Sequence, residues 1–558
     1  MPLTTLREFT MMRLMNQLTD KPEWNIKVFD DDIANKWKNE ALTVEDVDIT
    51  QGMVDWCIEE LRYKAKAFEK TGMVTAYNGD VIKSDVAVSS SLRLALIDAV
   101  KHLEDVPASE RDWHPGSDEK VLDLVHPSLF PLVSGLSRIL PNGTTTLDDC
   151  IERTGEGITL QLYTEKWDYL SHNSIKPKSF SENFQWLPCE VNLRGDDPKI
   201  TTYINNLHPH QHRDLYCIIE KMIGCAIPLW NESLTRQKTP GYRFLRVAEY
   251  RVAEPEGDGE PRPEQEPDED VNEYYKRVQK WDEKELNRKA SQPEVKSFQP
   301  PNRDLFEEDG ITLKSEHKVD LKREHDRIQV IVKLANIHLT PEKPKYEGGT
   351  WHVEGQLNEH ICASALLYYS SDNITPSHLA FRHMVNGGPY RPFSSRDTVI
   401  IDYPQDYHQW LEDVFGCQNR GPAIQDIGNV LTKEGRLITF PNILQHQVQP
   451  FELADPTKPG HRKILALFLV DPIVNIISTA NVPCQRKDWW RRAIKEQETL
   501  LGKLPLELKD DIYEIVEGFP ISMEKAKEVR LELMDERKKF VIKQDGYFND
   551  TIFSLCEH

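Results

Sequence analysis

The sequence lacks the long apolar runs that targeting and membrane segments require. Met1–Asp20 mixes polar and apolar residues and has no apolar core of the kind found in signal peptides. No other window is apolar over the length that spans a bilayer. We therefore expect a protein without a membrane anchor, located in the cytoplasm, with the nucleus left open as an alternative compartment.

Basic residues are few relative to acidic ones. The 558 residues include 69 lysines and arginines against 91 aspartates and glutamates, which gives a formal net charge of −22. Binding to nucleic acid or to an anionic membrane surface depends on clustered positive charge. The composition therefore argues against both classes of partner.

Paired cysteine motifs are also absent. The nine cysteines are scattered, and no two of them are arranged as Cys-x-x-Cys. An odd number of cysteines cannot pair completely within one chain. We therefore expect reduced, mostly structural thiols in an intracellular protein.

The patterns that are present divide the chain into three regions. Residues 1–180 are predicted to be mainly helical, because segments such as Met53–Thr71 carry apolar residues at helical spacing. Residues 181–480 are predicted to be rich in β-strands, and residues 481–558 are predicted to be helical again. An acidic insertion near residues 254–305 is predicted to be disordered, because its Pro/Gly-rich part, Glu254–Asp270, offers too little apolar surface to bury. Tyr274–Lys289 after it is predicted to be an exposed charged helix.

The β-rich region is predicted from short apolar segments, several of them β-branched, that are separated by turn residues. Such a series is typical of a barrel or a sandwich and indicates an α+β fold. One helix, Leu215–Ile227, is predicted to end at Pro228. The predicted strands are Ile328–Leu339, His360–Tyr369, Thr398–Asp402, Arg436–Phe440 and Lys463–Asp471.

One stretch of this region carries candidate metal-binding residues. On a β-strand, His352 and Glu354 would point to the same face. An imidazole from a distant strand would complete a two-histidine, one-carboxylate set, which is the donor set of non-haem iron oxygenases. His446, on a short extended segment after a Pro-containing turn, is the candidate. Arg462 lies at the start of a predicted buried strand, where a guanidinium needs a carboxylate partner.

A second histidine cluster is the rival metal site. His208–His212 contains three histidines at alternate positions, and such side chains could bind a metal from one face of a strand. Pro209 and the helix predicted after it favour a loop, so we interpret the cluster as structural or close to the substrate. His338 and His360 are interpreted as core or rim histidines.

The order His-x-Glu, a long gap, His and then Arg on the next strand resembles the iron(II)/2-oxoglutarate-dependent oxygenases. More narrowly, the chain resembles DUF4246, a large fungal family of unknown function, over nearly its whole length. The segments that carry this resemblance are VHPSLFPL (125–132), QWLPCEV (185–191), INNLHPHQHRDLY (204–216), YEGGTWHVEGQLNEHI (346–361), FPNILQHQVQPFEL (440–453) and HRKILALFLVDP (461–472).

The oxygenase resemblance implies a double-stranded β-helix, or jelly-roll, core within residues 181–480. It implies that His352, Glu354 and His446 hold iron(II), and that Arg462 binds the far carboxylate of 2-oxoglutarate. The implied enzyme is a non-haem iron dioxygenase that uses O2 to oxidise an unactivated C–H bond. A small-molecule substrate is expected because the sequence has no basic surface and no recognisable reader module. Amino acids and secondary metabolites are the first substrate candidates, and hydroxylation, desaturation and cyclisation stay open as outcomes.

Two features depart from the common oxygenase pattern. The acidic ligand is Glu354 where aspartate is commoner, and Glu452–Gly460 lengthens the gap before Arg462. The position two residues beyond the arginine, often a hydroxyl residue, is Ile464, so the second 2-oxoglutarate-binding residue stays open. Glu354 keeps a Jumonji-like protein hydroxylase or demethylase as an alternative function. A non-enzymatic jelly-roll scaffold is the third hypothesis.

Overall fold

The structure is a computed structural model of the 558-residue chain. It describes residues 3–78, 80–161, 180–239, 242–248, 261–286, 292–385, 409–496 and 518–550, and the single residues 505, 508 and 552. The described part is a mixed α/β structure with antiparallel sheets and with helices toward both ends of the chain.

Most of the described helices lie before residue 105 or after residue 480. None of them combines the length and the apolar character that crossing a bilayer requires. The helices are α1 (Leu6–Leu18), α2 (Trp24–Lys27), α3 (Asp31–Leu42), α4 (Gln51–Thr71), α5 (Ser90–Glu104), α6 (Arg213–Lys238), α7 (Val271–Leu286), α8 (Leu321–Glu324), α9 (Gln409–Phe415), α10 (Lys487–Glu496) and α11 (Met523–Asp550).

The described residues also form strands, and every strand pairing is antiparallel. The strands are β1 (Val74–Thr75), β2 (Ile82–Ser84), β3 (Val121–Val125), β4 (Leu132–Val133), β5 (Arg138–Ile139), β6 (Ile158–Thr159), β7 (Phe184–Gln185), β8 (Cys189–Asn192), β9 (Lys199–Ile200), β10 (Arg327–Leu339), β11 (Lys345–Tyr346), β12 (Ile361–Asp372), β13 (His378–Met384), β14 (Ile424–Leu431), β15 (Leu437–Pro441), β16 (Gln445–Val448), β17 (Phe451–Glu452) and β18 (Gly460–Val470).

The largest sheet follows the order β1-β2-β15-β12-β18-β10-β8-β9, with β3 also paired to β10. Strands β1, β2 and β3 come from the first 180 residues, and they are hydrogen-bonded into one sheet with strands of the β-rich region. In the β10–β18 pair, Ile331 lies opposite Phe468 and Ile337 lies opposite Arg462. Opposed residues share a face, so the odd-numbered side chains of β10 lie on one face with the even-numbered side chains of β18.

A second sheet, β14-β13-β16, packs against this face of the large sheet. Leu379 and Phe381 of β13 are buried in one core with Phe440 and Phe468 of the large sheet. The rings of Phe381 and Phe440 meet edge to face, with centroids 5.0 Å apart. We call this side of the large sheet the inner face, and the candidate site lies on it.

Helices α5 and α6 cover the opposite, outer face of the large sheet. Val332 and Leu334 of β10 are buried there together with Ile223 and Trp230 of α6. The strand β10 therefore buries both faces, which explains its nearly continuous apolar sequence.

The prediction that the helix after residue 213 ends at Pro228 is wrong, because α6 continues to Lys238. Proline removes one helical hydrogen bond. The turns beyond it are nevertheless held by tertiary contacts: Leu229 and Trp230 are buried, and the Ser233 hydroxyl lies 2.8 Å from the Thr439 hydroxyl of β15. Packing on the large sheet outweighs the local preference.

The other predicted elements differ in outcome. Four of the five predicted strands are confirmed as β10, β12, β15 and β18, with ends shifted by a few residues. The fifth, Thr398–Asp402, lies outside the described residues. The predicted disordered insertion lies partly outside them too. In its described part, the exposed charged helix predicted over Tyr274–Lys289 is confirmed as α7, with ends shifted by a few residues.

Candidate metal centre

Backbone pairing brings His352 and His446 together. His446 lies on β16, and His352 forms an isolated bridge directly opposite it. The His352 N–H donates to the His446 carbonyl at 3.2 Å, and the His446 N–H donates to the His352 carbonyl at 2.9 Å. Opposed residues of an antiparallel pair have neighbouring side chains, and here the imidazole centroids are 4.3 Å apart.

Glu354 adds its carboxylate to the two imidazoles. Its Oε1 lies 3.3 Å from His446 Nε2 and 3.7 Å from His352 Nε2. Ligand atoms bound at right angles, each about 2.1 Å from one metal ion, are about 3 Å apart. The three side chains are therefore spaced as a metal-ligand set, although His352 and Glu354 stand on irregular chain rather than on the predicted strand.

Two glycines let this chain segment approach β16 closely. Gly348 has a φ of +89°, and a Cβ at this position would lie 2.8 Å from the Val448 carbonyl oxygen. The N–H of Gly349 donates to the same carbonyl at 2.9 Å. These contacts set the register that places His352 opposite His446.

Asn442, which was not singled out from the sequence, fixes the position of Glu354. The Glu354 N–H donates to Asn442 Oδ1 at 2.8 Å, and Asn442 Nδ2 donates to the Glu354 carbonyl at 2.9 Å. The same amide donates to the Ile361 carbonyl at 3.0 Å. The available signal was a Pro-Asn turn between a strand and His446, because asparagine in such turns commonly bonds to nearby backbone.

We expect Asn442→Ala to lower the affinity for iron(II) by about 10- to 100-fold, because the carboxylate ligand loses its backbone support. The measurement is an anaerobic competition titration against a chromogenic chelator. Asn302→Ala removes a side-chain bond to the Asp304 N–H, far along the chain from this centre, and serves as the control. Equal affinities in the wild type and in Asn442→Ala would contradict the positioning role.

The tautomer of His352 suits metal binding. Its Nδ1 lies 2.7 Å from the Thr350 carbonyl oxygen. A carbonyl only accepts, so Nδ1 carries a proton and Nε2 is the atom left for a metal when the ring is neutral. Nε2 is also the atom that faces Glu354.

The three groups shift one another's pKa values. For Glu354, burial raises the pKa, but hydrogen bonding to His352 and His446 outweighs burial and holds it well below the usual value. For His352, burial lowers the pKa, while the Glu354 carboxylate raises it to a net value above 6.5. For His446, burial and the neighbouring His352 lower the pKa. Without metal, one proton is therefore held mainly on His352.

We expect metal affinity to rise with pH through the raised pKa of His352, because a metal must displace that proton. In the metal-free chain, the His352–Glu354 pair stabilises the fold fully below pH 6.5, and this contribution is lost as pH rises through the raised pKa. Titrations with Mn(II) between about pH 6 and pH 8, in buffers of different ionisation enthalpy, count the released protons. An affinity that is flat over this range would contradict the assignment.

Arg462 lies at the start of β18 and is fully buried. Its Nη1 donates to the Ser377 hydroxyl, while Nε and Nη2 have no hydrogen-bond partner in the described part of the chain. The guanidinium lies 4.6 Å from the Phe451 ring centroid and 5.5 Å from that of Tyr368. Burial lowers its pKa. The carboxylate partner that the sequence suggested is not supplied by any described residue.

The rival histidine cluster forms a turn that leads into α6. His208 Nδ1 accepts from the backbone N–H of His210 at 3.3 Å, and the His208 ring packs against Trp489. Within the described residues, this cluster does not gather into a group with metal-ligand spacing. The interpretation of this segment as a loop agrees with the structure.

A third group, His114, Asp123 and His126, was not singled out from the sequence. His114 Nδ1 lies 2.8 Å from Asp123 Oδ2, and Arg530 Nη1 lies 3.8 Å from the same oxygen. The Ser128 N–H donates to His126 Nδ1 at 3.2 Å, so in the neutral ring the proton is on Nε2. These contacts and the nearby cation favour a hydrogen-bonded network over a metal site.

Comparisons with solved structures find only partial likeness. An Fe(II)/α-ketoglutarate-dependent dioxygenase, TqaL, is 14% identical over 28% of this chain and 47% of its own, with a TM-score of 0.17. A bsmA homologue from Methylobium petroleophilum PM1 is 13% identical over 32% of this chain and 57% of its own, with a TM-score of 0.16. The chain thus spans less than two thirds of either structure.

Family comparisons cover much more of the sequence. Residues 51–493 match the family described as "Protein of unknown function (DUF4246)", and residues 1–40 match its N-terminal domain of unknown function. A search of curated proteins finds no significant match. Since the family match extends over most of the 558 residues, the chain belongs to the DUF4246 family.

Proposed function

We propose that this protein is an iron(II)/2-oxoglutarate-dependent oxygenase that oxidises an unactivated C–H bond of a small molecule. The observation that carries the proposal is the convergence of His352, Glu354 and His446 in a chain whose inner face also buries the unpaired guanidinium of Arg462. A two-histidine, one-carboxylate set leaves open positions on iron, and a buried cation needs an anion.

The three donor side chains fit iron(II). Glu354 is held ionised by its two neighbours, and His446 is held neutral by burial, so two of the three ligands are already in their metal-binding form. His352 releases one proton when a metal binds. Nitrogen and oxygen donors without cysteine suit iron(II) in a site that keeps positions open.

Arg462 fits the far carboxylate of 2-oxoglutarate. Carboxylates commonly bind a guanidinium through two parallel hydrogen bonds, and two nitrogens of Arg462, Nε and Nη2, have no hydrogen-bond partner in the described part of the chain. The rings of Phe451 and Tyr368 flank the guanidinium and restrict its movement. Because the residue is fully buried, a carboxylate there would meet little competition from water.

Iron(II) with 2-oxoglutarate supplies C–H oxidation by O2, with release of succinate and carbon dioxide. The chain's own residues bind and orient these groups: His352, Glu354 and His446 hold the metal, and Arg462 sets the direction of the cosubstrate. The apolar core between the two sheets limits the access of water. The facing antiparallel sheets support a jelly-roll as the core of this enzyme.

Two measurements test the proposal. Anaerobic addition of 2-oxoglutarate to the iron(II)-loaded protein should produce the weak visible charge-transfer band of this kind of site. The loaded protein should then release succinate with members of a small-molecule library and not with a peptide library. The proposal fails if no band appears and His352→Ala leaves iron binding unchanged. Succinate release with peptides alone would favour the protein-hydroxylase alternative.

A further inference from the structure

The inner face carries a second cation besides Arg462. Lys333 stands at the middle of β10, opposite Ala466 of β18. Its neighbours on this face, Ile331 and Phe468, are buried in the core between the two sheets. Lys333 itself is half-buried, and no hydrogen bond or ion pair joins it to another described residue. A half-buried ammonium with apolar neighbours and no protein anion is available to pair with an anionic ligand.

Lys333 shares the inner face with residues that extend to the metal centre. Phe468, its diagonal neighbour, lies in one row with Ser364 and Phe440, and the Phe440 ring centroid is 4.8 Å from that of His446. Asp123 lies opposite Ala335, the next residue of β10 on the same face. Burial is the main cause of the low pKa of His126, and the Lys333 ammonium lowers that pKa further. Lys333 therefore lies on the face that carries the metal centre and near the His114–Asp123–His126 network.

The carboxylates of the metal centre and of the His114–Asp123–His126 network already have partners. Glu354 Oε1 faces two imidazoles, and Asp123 Oδ2 is held by His114 at 2.8 Å with Arg530 Nη1 at 3.8 Å. Neither forms an ion pair with Lys333. The described part of the chain thus leaves this ammonium without a carboxylate of its own.

Lys333 is also separate from the Arg462 subsite. Arg462 lies opposite Ile337, four positions farther along β10. At about 3.3 Å per residue, this separation is about 13 Å between backbone positions. One small dicarboxylate bound at the metal and at Arg462 would leave Lys333 free.

We propose that Lys333 is a specificity-determining residue that binds a carboxylate of the substrate, so that the oxidised molecule is a small organic acid. This inference rests on the proposed function, because it places the acid beside the metal centre. The inner-face position, the absence of a protein anion and the distance from Arg462 together support it.

The test is isothermal titration of the full-length protein with matched pairs of acids and amides. The pairs are hexanoate with hexanamide, phenylacetate with phenylacetamide, and N-acetyl-leucine with its amide. Each pair is titrated into protein loaded anaerobically with iron(II) and 2-oxoglutarate and, in parallel, into metal-free protein. We expect at least one acid to bind about tenfold or more tightly than its amide, because a hydrogen bond to a charged group strengthens binding by that order.

Lys333→Met should remove this preference by weakening the acid about tenfold and leaving the amide unchanged, whereas Lys333→Arg should retain part of it. Lys345→Met changes the charge equally at an exposed position on β11 and should have no effect. Thermal unfolding of each variant checks that the fold is intact.

Three results would overturn the inference: no acid is preferred over its amide, the preference persists in Lys333→Met, or Lys333→Met weakens 2-oxoglutarate as much as the acid. The titrations of metal-free protein distinguish a failure of this inference from a failure of the proposed function. Should the protein bind neither iron nor 2-oxoglutarate while the acid preference still depends on Lys333, the oxygenase proposal would fail and the anion site would stand.

Discussion

His446→Ala should lower the affinity of the chain for iron(II) by at least about a hundredfold, more than the loss expected from the supporting residue Asn442. His446 is 3% exposed, and its Nε2 is the nearer of the two imidazole nitrogens to Glu354 Oε1. Alanine leaves two ligands instead of three, and solvent cannot readily replace a nitrogen donor inside the core. The remaining His352–Glu354 pair can still bind metal weakly.

The measurement for His446→Ala is an anaerobic titration with iron(II) against a chelator, together with the thermal unfolding curve of the metal-free variant. His102→Ala, an exposed position near the end of α5, provides the matched control. His352→Ala should give a loss of similar size, since it also leaves two ligands. If His446→Ala and His352→Ala both bound iron(II) as tightly as the wild type, the metal would be held elsewhere.

The sequence was sufficient to place four strands of the large sheet, but it did not predict β13 and β14 of the second sheet. The apolar segments that became β10, β12, β15 and β18 are strongly patterned, because each is buried on at least one face. The His-x-Glu spacing, the strand pattern and the resemblance to the oxygenases together nominated His352, Glu354 and His446, and the structure places their donor atoms within 4.8 Å of one another.

Contacts between residues that are distant in the chain could not be predicted from the sequence. The bridge between His352 and His446 joins residues that are far apart in the chain, and no local pattern encodes their register. Pro228 was predicted to end the helix because proline locally disfavours a helix interior. The sequence does not show that packing on the large sheet stabilises α6 beyond this residue. Lys333 looked like an ordinary strand residue, because only the pairing of β10 with β18 shows which face it occupies.

Arg462→Met should have two effects of opposite sign. Without cosubstrate, the variant should be more stable than the wild type by about 1 kcal/mol or more, because a buried guanidinium with unpartnered N–H groups is replaced by an apolar chain of similar length. Its affinity for 2-oxoglutarate should fall by about a hundredfold, since two charge-assisted hydrogen bonds are lost. Iron(II) affinity should change little.

Arg436→Met is the matched control, because Arg436 is an equally buried arginine that has its partners. Its Nε lies 2.6 Å from Asp85 Oδ1, and its Nη1 lies 2.7 Å from Asp20 Oδ1. Its replacement removes one partner from each carboxylate, although Asp20 keeps Lys83 and Asp85 keeps Lys433, so this variant should lose about 1–3 kcal/mol of stability. It should bind 2-oxoglutarate as the wild type does, because its contacts belong to a different part of the large sheet.

Urea unfolding with and without 2-oxoglutarate reads both effects of Arg462→Met in one experiment. A ligand at a hundredfold excess over its Kd stabilises a protein by about 2.7 kcal/mol, so the wild type should gain this amount and Arg462→Met almost none. Loss of stability together with loss of iron(II) binding would instead mean that Arg462 supports the fold. A stabilised variant that no longer responds to 2-oxoglutarate is the result expected of a cosubstrate-binding arginine, because its buried charge costs stability until a carboxylate pairs with it.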